Sequence, residues 1–317
     1  YQKNDRERLK EILSSVFYVH EPEQLALASG EKLSRSNLQG SVTKLEKYAS
    51  CAYAYFLQYG LHLGERQEHE LDQMDVGNLY HDVLKKYSDT LMNDPKYQAY
   101  DFSTVTDQIS DEILKSCIAL SYEKMWKQEL FMDPRSAYTL REMQSTLKRS
   151  IQLLRNQVQR GRFLPQAFEV KLSEIGSLDA LNYELSNGDL MHFSGQIDRI
   201  DTMETDDKVY VKIIDYKSGS QTLDPARVKA GLQIQILVYM DAALEGQERS
   251  RGKETVPAAV YLYHVKDQTV DEKKGDMTEA EIREEVLKAV GRDGLINEDE
   301  TVLYALDEHP GGKNSLT

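Results

Sequence analysis

The sequence predicts a mixed α/β (α+β) protein in which helices fill the first half, followed by a small mixed sheet flanked by helices and crossed by one helix. Three observations carry that reading. Apolar residues recur at helical spacing up to about residue 160, the period then shortens to that of strands, and turn-rich pieces such as "ETDDK" separate the β-branched and aromatic runs that follow.

Taken in order, "NDRERLKEILSSVF" places Leu9, Ile12, Leu13 and Val16 on one helical face, and a polar linker follows to about Gly40. From Ser41, a candidate N-cap, "SVTKLEKYASCAYAYFLQYG" reads as a single helix that holds Cys51 and closes at Gly60. "MDVGNLYHDVLKKYSDTLM" repeats apolar residues at Val76, Leu79, Val83, Leu84, Tyr87 and Leu91, again helical. Residues 105–160 read as helical throughout, stopping near Gly161 and Pro165.

Then come four strand-like runs: "AFEVKL", "LMHFSGQIDRI", "VYVKIIDY" and "VPAAVYLYHV". Between the last two, "DPARVKAGLQIQILVYMDAALEG" reads as one helix, with Asp224 as N-cap, Pro225 at its first position and Gly246 just past its end. The expected organisation is a lead-in helix and linker over 1–40 and a domain over 41–317. Within that domain lie a helical part (41–164), a sheet core (165–265) and a C-terminal part (266–317). A start at Tyr1 and a polar end, "HPGGKNSLT", are expected of a piece cut from a longer protein.

Composition narrows the function classes. A chain of 317 residues with 40% apolar content can bury a sizeable core. Lys+Arg total 39 against 53 Asp+Glu, a net charge of -14, so any polyanion must be met locally rather than by the whole surface. Two cysteines, Cys51 and Cys117, are too few for a disulfide framework, so a reduced, cytoplasmic setting is expected. The apolar runs fall short of a membrane span, and "PGGKNS" lacks the spacing of a nucleotide-binding P-loop. Cys117, amid apolar residues, is expected to be a buried small hydrophobe.

"IIDYKSGS" (213–220) is the informative stretch. If 209–217 is a strand, Val209, Val211, Ile213, Asp215 and Lys217 share one face, so an acid and a base emerge at the end of an apolar row. A turn between Asp206 and Asp207 would set Asp198 of "GQIDRID" across from Asp215. Two carboxylates facing each other across a ladder are destabilising unless something positive lies between them, and oxygen donors suit Mg²⁺ or Mn²⁺ better than zinc. The bland reading is that an Asp and a Lys at a strand end are simply solvated.

In order, "GNLYH", "GQIDRID", "IIDYKSG" and "QIQILVY" resemble the RecB-family branch of the PD-(D/E)XK nuclease superfamily, and most closely the nuclease domains of AddAB-type helicase–nucleases, over about residues 41–265. The resemblance implies a restriction-endonuclease-like core with a helical N-terminal part and a helical insertion. It implies His81, Asp198, Asp215 and the carbonyl of Tyr216 as metal ligands, Lys217 as the catalytic lysine, Gln235 and Tyr239 as a Q-x-x-x-Y pair that contacts the DNA backbone or the active site, and Glu169 as an extra acid. It further implies cleavage of single-stranded DNA in double-strand break repair, beside an AddA-type partner. Cys51 matches the first of four cysteines that hold a [4Fe–4S] cluster in such proteins; the other three have no counterpart here, so a cluster is expected only in a full-length protein. Arg149, Arg155, Arg160 and Arg162, in a stretch without acids between Glu142 and Glu169, form a candidate phosphate track. An inactive DNA-binding scaffold and a stand-alone exonuclease of the CRISPR type remain alternatives.

Overall fold

Strand-forming residues and helix-forming residues separate along the chain as their spacing dictates. The structure, a computed structural model, describes residues 2–18, 39–64, 73–123, 134–175, 182–184, 190–217, 219, 221–264, 292–308 and 310. The chain divides into two compact units, Tyr1–Leu38 and Gln39–Thr317. The first contains helix α1 (Gln2–Val16), on which Leu9, Ile12, Leu13 and Val16 are all exposed.

The second unit opens with strand β1 (Gln39–Ser41) and helix α2 (Val42–Ser50), which Ser41 caps by accepting from the Lys44 N–H at 3.2 Å. The single helix expected to Gly60 is instead broken at Cys51. That residue is extended (φ -163°, ψ 107°); it closes α2 and caps the short α3 (Ala52–Tyr55), its thiol lying 3.5 Å from the Ala54 N–H. A π-helical turn, Phe56–Gly60, completes the segment. Next come α4 (Gln73–Asn93), α5 (Asp107–Glu123) and α6 (Pro134–Arg160). Residues 124–133, in the stretch expected to be helical, lie outside the described residues.

Strand β2 (Leu164–Lys171) and the short helix α7 (Leu172–Ile175) follow. "LMHFSGQIDRI", expected as one strand, is divided at Gly195 between two sheets. Strand β4 (Leu190–Ser194), with β3 (Asn182–Glu184), belongs to a three-stranded sheet of order β1-β4-β3, and β5 (Gln196–Glu204) to a five-stranded one. A side chain at Gly195 would meet the Tyr239 ring and Leu172 at about 3 Å, so a larger residue where the chain changes sheets would force those side chains to shift. Strand β6 (Lys208–Lys217) pairs antiparallel with β5 and parallel with β7 (Glu254–His264).

The crossing segment is two helices rather than one. Asp224 caps α8 (Pro225–Lys229) as expected, but the chain turns at Gly231 (φ 76°) and α9 (Gln235–Arg251) runs past Gly246 to a left-handed Gly252 (φ 64°). Strand β8 (Arg292–Ile296) and helix α10 (Glu300–Leu306) complete the unit; β8 extends the large sheet to the order β2-β5-β6-β7-β8.

Two apolar cores lie on the two faces of the large sheet. Tyr210, Ile214 and Tyr216 of β6 pack with residues of α4, α5 and α6, whereas Val209, Val211 and Ile213 pack with Ile236, Tyr239 and Met240 of α9. A strand buried on both faces explains why "VYVKIIDY" reads as a near-continuous apolar run. Cys117 is buried in the first core, as expected of a small apolar residue. No helix among the described residues is long and apolar enough to cross a membrane.

Candidate active site

Three neighbouring strands each carry an acid to the same level of the sheet. The rungs Phe168↔Arg199 and Val170↔Ile197 bracket Glu169 and Asp198; the β5–β6 ladder runs from Glu204↔Val209 to Arg199↔Ile214, and one further step sets Asp198 level with Asp215. All three are buried, at 9%, 8% and 4% exposure, so solvent does little to separate their charges.

From the facing helix, His81 of α4 completes the cluster. Its Nδ1 lies 2.7 Å from Glu169 Oε1 and 3.4 Å from Asp198 Oδ1, and a ligand atom from each of the three residues falls within 4.8 Å of the others. Glu169 reaches it from a left-handed backbone (φ 51°), costly for a residue with a Cβ. That conformation aims the carboxylate at His81, and the Gln196 amide donates to its other oxygen. Asp198 Oδ2 accepts from the Tyr216 backbone N–H at 2.6 Å, and the Tyr216 ring meets the His81 ring edge-on, with centroids 5.9 Å apart.

The electrostatics follow from crowding. Burial works against a charged His81, but hydrogen bonds to Asp198 and Glu169 outweigh it and push the imidazole up to about 10. Burial pushes the Asp198 carboxyl up to about 6, against the pull of His81 and with the help of the Asp215 charge. Asp215 is aimed at Lys217, whose Nζ is 2.7 Å from Asp215 Oδ2. This is a charge contact outside hydrogen-bonding alignment, and that buried oxygen has no hydrogen bond among the described residues. For the lysine, burial lowers the pKa, but the Asp215 charge prevails and raises it.

Asp215 and Lys217 line an adjoining pocket with Glu46, Gln221, Gln233 and Gln235. Gln235 donates through Nε2 to the Tyr239 hydroxyl at 3.1 Å, so the i, i+4 pair does share one side of α9. The structure thus joins His81 and Asp198 with Glu169, and turns Asp215 toward Lys217, two residues along the same strand face. Two buried acids beside one imidazole, with Asp215 level with them on the next strand, make a hard-donor set that a divalent cation fits.

A family model described as the PD-(D/E)XK nuclease superfamily matches residues 39–307. The chain belongs to the PD-(D/E)XK nuclease superfamily. It is also 30% identical over 318 residues to a protein of Clostridium acetobutylicum named as a subunit of an ATP-dependent helicase/deoxyribonuclease, covering 100% of this chain and 27% of that protein. Proteins of the same name from Lachnoclostridium phytofermentans (34% over 307 residues; 96% of this chain, 25% of that one) and Oceanobacillus iheyensis (32% over 297; 93% and 25%) are similar to it. The chain therefore spans about a quarter of the length of these relatives.

Other candidate residues of this PD-(D/E)XK chain fall elsewhere. Along the basic stretch, Arg155 is paired with Asp107 at 2.6 Å and donates to the Val105 carbonyl, Arg160 lies 3.7 Å from Asp307, Arg149 is half-buried, and Arg162 is exposed. Arg155 and Arg160 thus tie α6 to neighbouring segments. Cys51 is exposed and Cys117 buried, both free. One matching cysteine does not fit a cluster that needs four ligands.

Glu46 carries no signal in the sequence, whereas Gln196 lies inside "GQIDRID", two residues before Asp198. Glu46 Oε1 accepts from the Gln235 backbone N–H at 2.9 Å across 189 residues, and no local pattern encodes so distant a contact. Asn78, Asp82 and Lys85 were findable, because they lie on the His81 face of α4 at helical spacing.

Proposed function

We propose that this chain is the nuclease module of an AddAB-type helicase–nuclease. In this reading it hydrolyses phosphodiester bonds of single-stranded DNA in a Mg²⁺- or Mn²⁺-dependent reaction, works in the cytoplasm on double-strand breaks, and acts beside an AddA-type partner. One observation carries the reading: Glu169, Asp198 and Asp215 stand level on three adjacent strands, with His81 closing the cluster and Lys217 beside it.

His81, Glu169, Asp198 and Asp215, with the Tyr216 carbonyl, would hold the ion, which when bound acidifies a water and offsets charge on the scissile phosphate. The other residues have roles that follow from their own positions. The Tyr216 N–H and Gln196 amide fix the carboxylates of Asp198 and Glu169, so the donors need little reorganisation. Lys217, held charged beside Asp215, is placed to orient the attacking water and to stabilise charge that grows on the phosphate. Gln235, half-buried at a helix start fixed by Glu46, offers its amide to the DNA backbone, and the hydroxyl of the buried Tyr239, to which it donates, holds it in place. A cluster reading, with [4Fe–4S], applies only to a longer protein that supplies the missing cysteines.

Asp215→Ala and Asp198→Ala are expected to lower Mg²⁺-dependent release of nucleotides from a labelled single-stranded oligonucleotide by more than about 100-fold while leaving the circular dichroism spectrum unchanged. EDTA should do the same to the unaltered chain. Cleavage that persists in both variants would overturn the assignment.

A further inference from the structure

An open cleft of about 400 Å³ lies over the acidic cluster, and one face of α4 forms its wall through Asn78, His81, Asp82 and Lys85. Its other lining includes Glu169 and Asp198. Lys85 is the lone lysine or arginine among the described residues of that lining. It is half-buried, which shortens the reach of solvent to its stem, and it has no hydrogen bond or ion pair to any described residue. Its neighbour Lys86 differs: it is paired with Asp82 and donates to Ser121 at 2.9 Å, so it serves the packing of α4 against α5.

A lysine held beside acids ordinarily settles onto one of them, as Lys86 and Lys217 do. Lys85 does not, although it lines the same cleft as Asp82, Glu169 and Asp198. Those acids are engaged: Asp82 with Lys86, Glu169 with His81 and Gln196, and Asp198 with His81 and the Tyr216 N–H. The Cα of Lys85 lies about 6 Å along the helix axis from that of His81, so its side chain lines the same cleft beside the cluster, where the chain flanking a phosphodiester bound there would run.

We propose that Lys85 is a positioning residue that grips the phosphate next to the scissile one and so sets the register of a single strand in the cleft. The inference rests on the nuclease reading above for the location of the scissile bond, but the contact itself is with the backbone of a single-stranded nucleic acid. A point charge on a flexible stem contacts phosphate without reading the base, so the grip is sequence-independent.

The test compares the unaltered chain with Lys85→Gln and Lys85→Arg. Binding of a fluorescent oligothymidylate is followed by anisotropy in EDTA across a salt series, and Mg²⁺-dependent cleavage of the same strand is followed by steady-state kinetics. Lys85→Gln is expected to weaken binding and raise KM roughly fivefold to tenfold at low salt, leave kcat within about twofold, and reduce the slope of log K against log salt by about 0.7, the loss of one single-strand phosphate contact. Lys85→Arg should restore affinity and slope. An unchanged salt slope in Lys85→Gln, or a fall in kcat with KM unmoved, would overturn the proposal. Absence of cleavage by the unaltered chain would instead sink the nuclease reading, while the binding series would still decide for or against Lys85.

Discussion

At the scale of single residues, the same strands that carry the acidic cluster also bury a second set of charges. Arg199 holds Asp201 through two hydrogen bonds of 2.6 and 2.7 Å, and Lys212 reaches the same carboxylate at 2.8 Å; Asp201 is 0% exposed. Burial alone would raise the Asp201 pKa, but the Arg199 and Lys212 charges prevail and hold it below the usual carboxylate range. Asp201→Asn leaves two buried cations under-compensated, and unfolding free energy should fall by about 3–5 kcal/mol in urea titrations. The pH dependence has a definite sign. A carboxyl depressed in the folded state contributes its full stabilisation above the unfolded value of about 3.9 and loses it as pH falls through the folded value. The difference between Asp201→Asn and the unaltered chain should therefore be constant at neutral pH and shrink below about pH 4.

Glu169 poses the converse case, since its left-handed backbone costs about 1–3 kcal/mol that only the cluster justifies. Glu169→Gly relieves that strain. It should leave thermal stability level or raised while nuclease activity drops, and a variant that loses both together would show that the carboxylate holds up the fold rather than the site.

Elements end where backbone and neighbours force them to, and two glycines of the α9 segment have different meanings, one inside the helix and one at its end. Gly246 had the look of a helix stop, yet it lies inside α9 because a side chain there would run into Ile175: a Cβ would come within 2.3 Å of its Cγ2 and 3.0 Å of its carbonyl oxygen. Gly252, at φ 64° and in open space, is the true stop. Gly246→Ala should cost about 1–3 kcal/mol through overpacking against α7, and Gly252→Ala about 1 kcal/mol through backbone strain alone. Denaturant titrations that ranked the two the other way would refute this reading of the packing. The break at Cys51 has the same lesson, for its thiol does the capping that a serine would do, and propensity alone gave no reason to end a helix there.

For the molecule as a whole, both apolar cores are built, among the described residues, from positions at or beyond Val42. A chain of 39–317 should therefore unfold cooperatively at a melting temperature within about 4 °C of the 317-residue chain, as scanning calorimetry would report, since a 1 kcal/mol change moves a domain of this size by roughly 2–4 °C.

What the sequence determined by itself was the order of helices and strands, the face of β6 that carries Asp215 and Lys217, and the antiparallel β5–β6 pairing in which Asp198 comes level with Asp215. Each follows from a period or a short turn, which are local properties of a chain. Only the tertiary structure decided that Glu169 rather than Asp215 closes on His81 and Asp198, that Glu46 anchors the start of α9, that two of the candidate phosphate-binding arginines are tied up in ion pairs, and that Lys85 stands over the cleft unpaired among the described residues. Such facts depend on which distant groups compete for the same charge once water has been displaced, and no window of sequence contains both competitors.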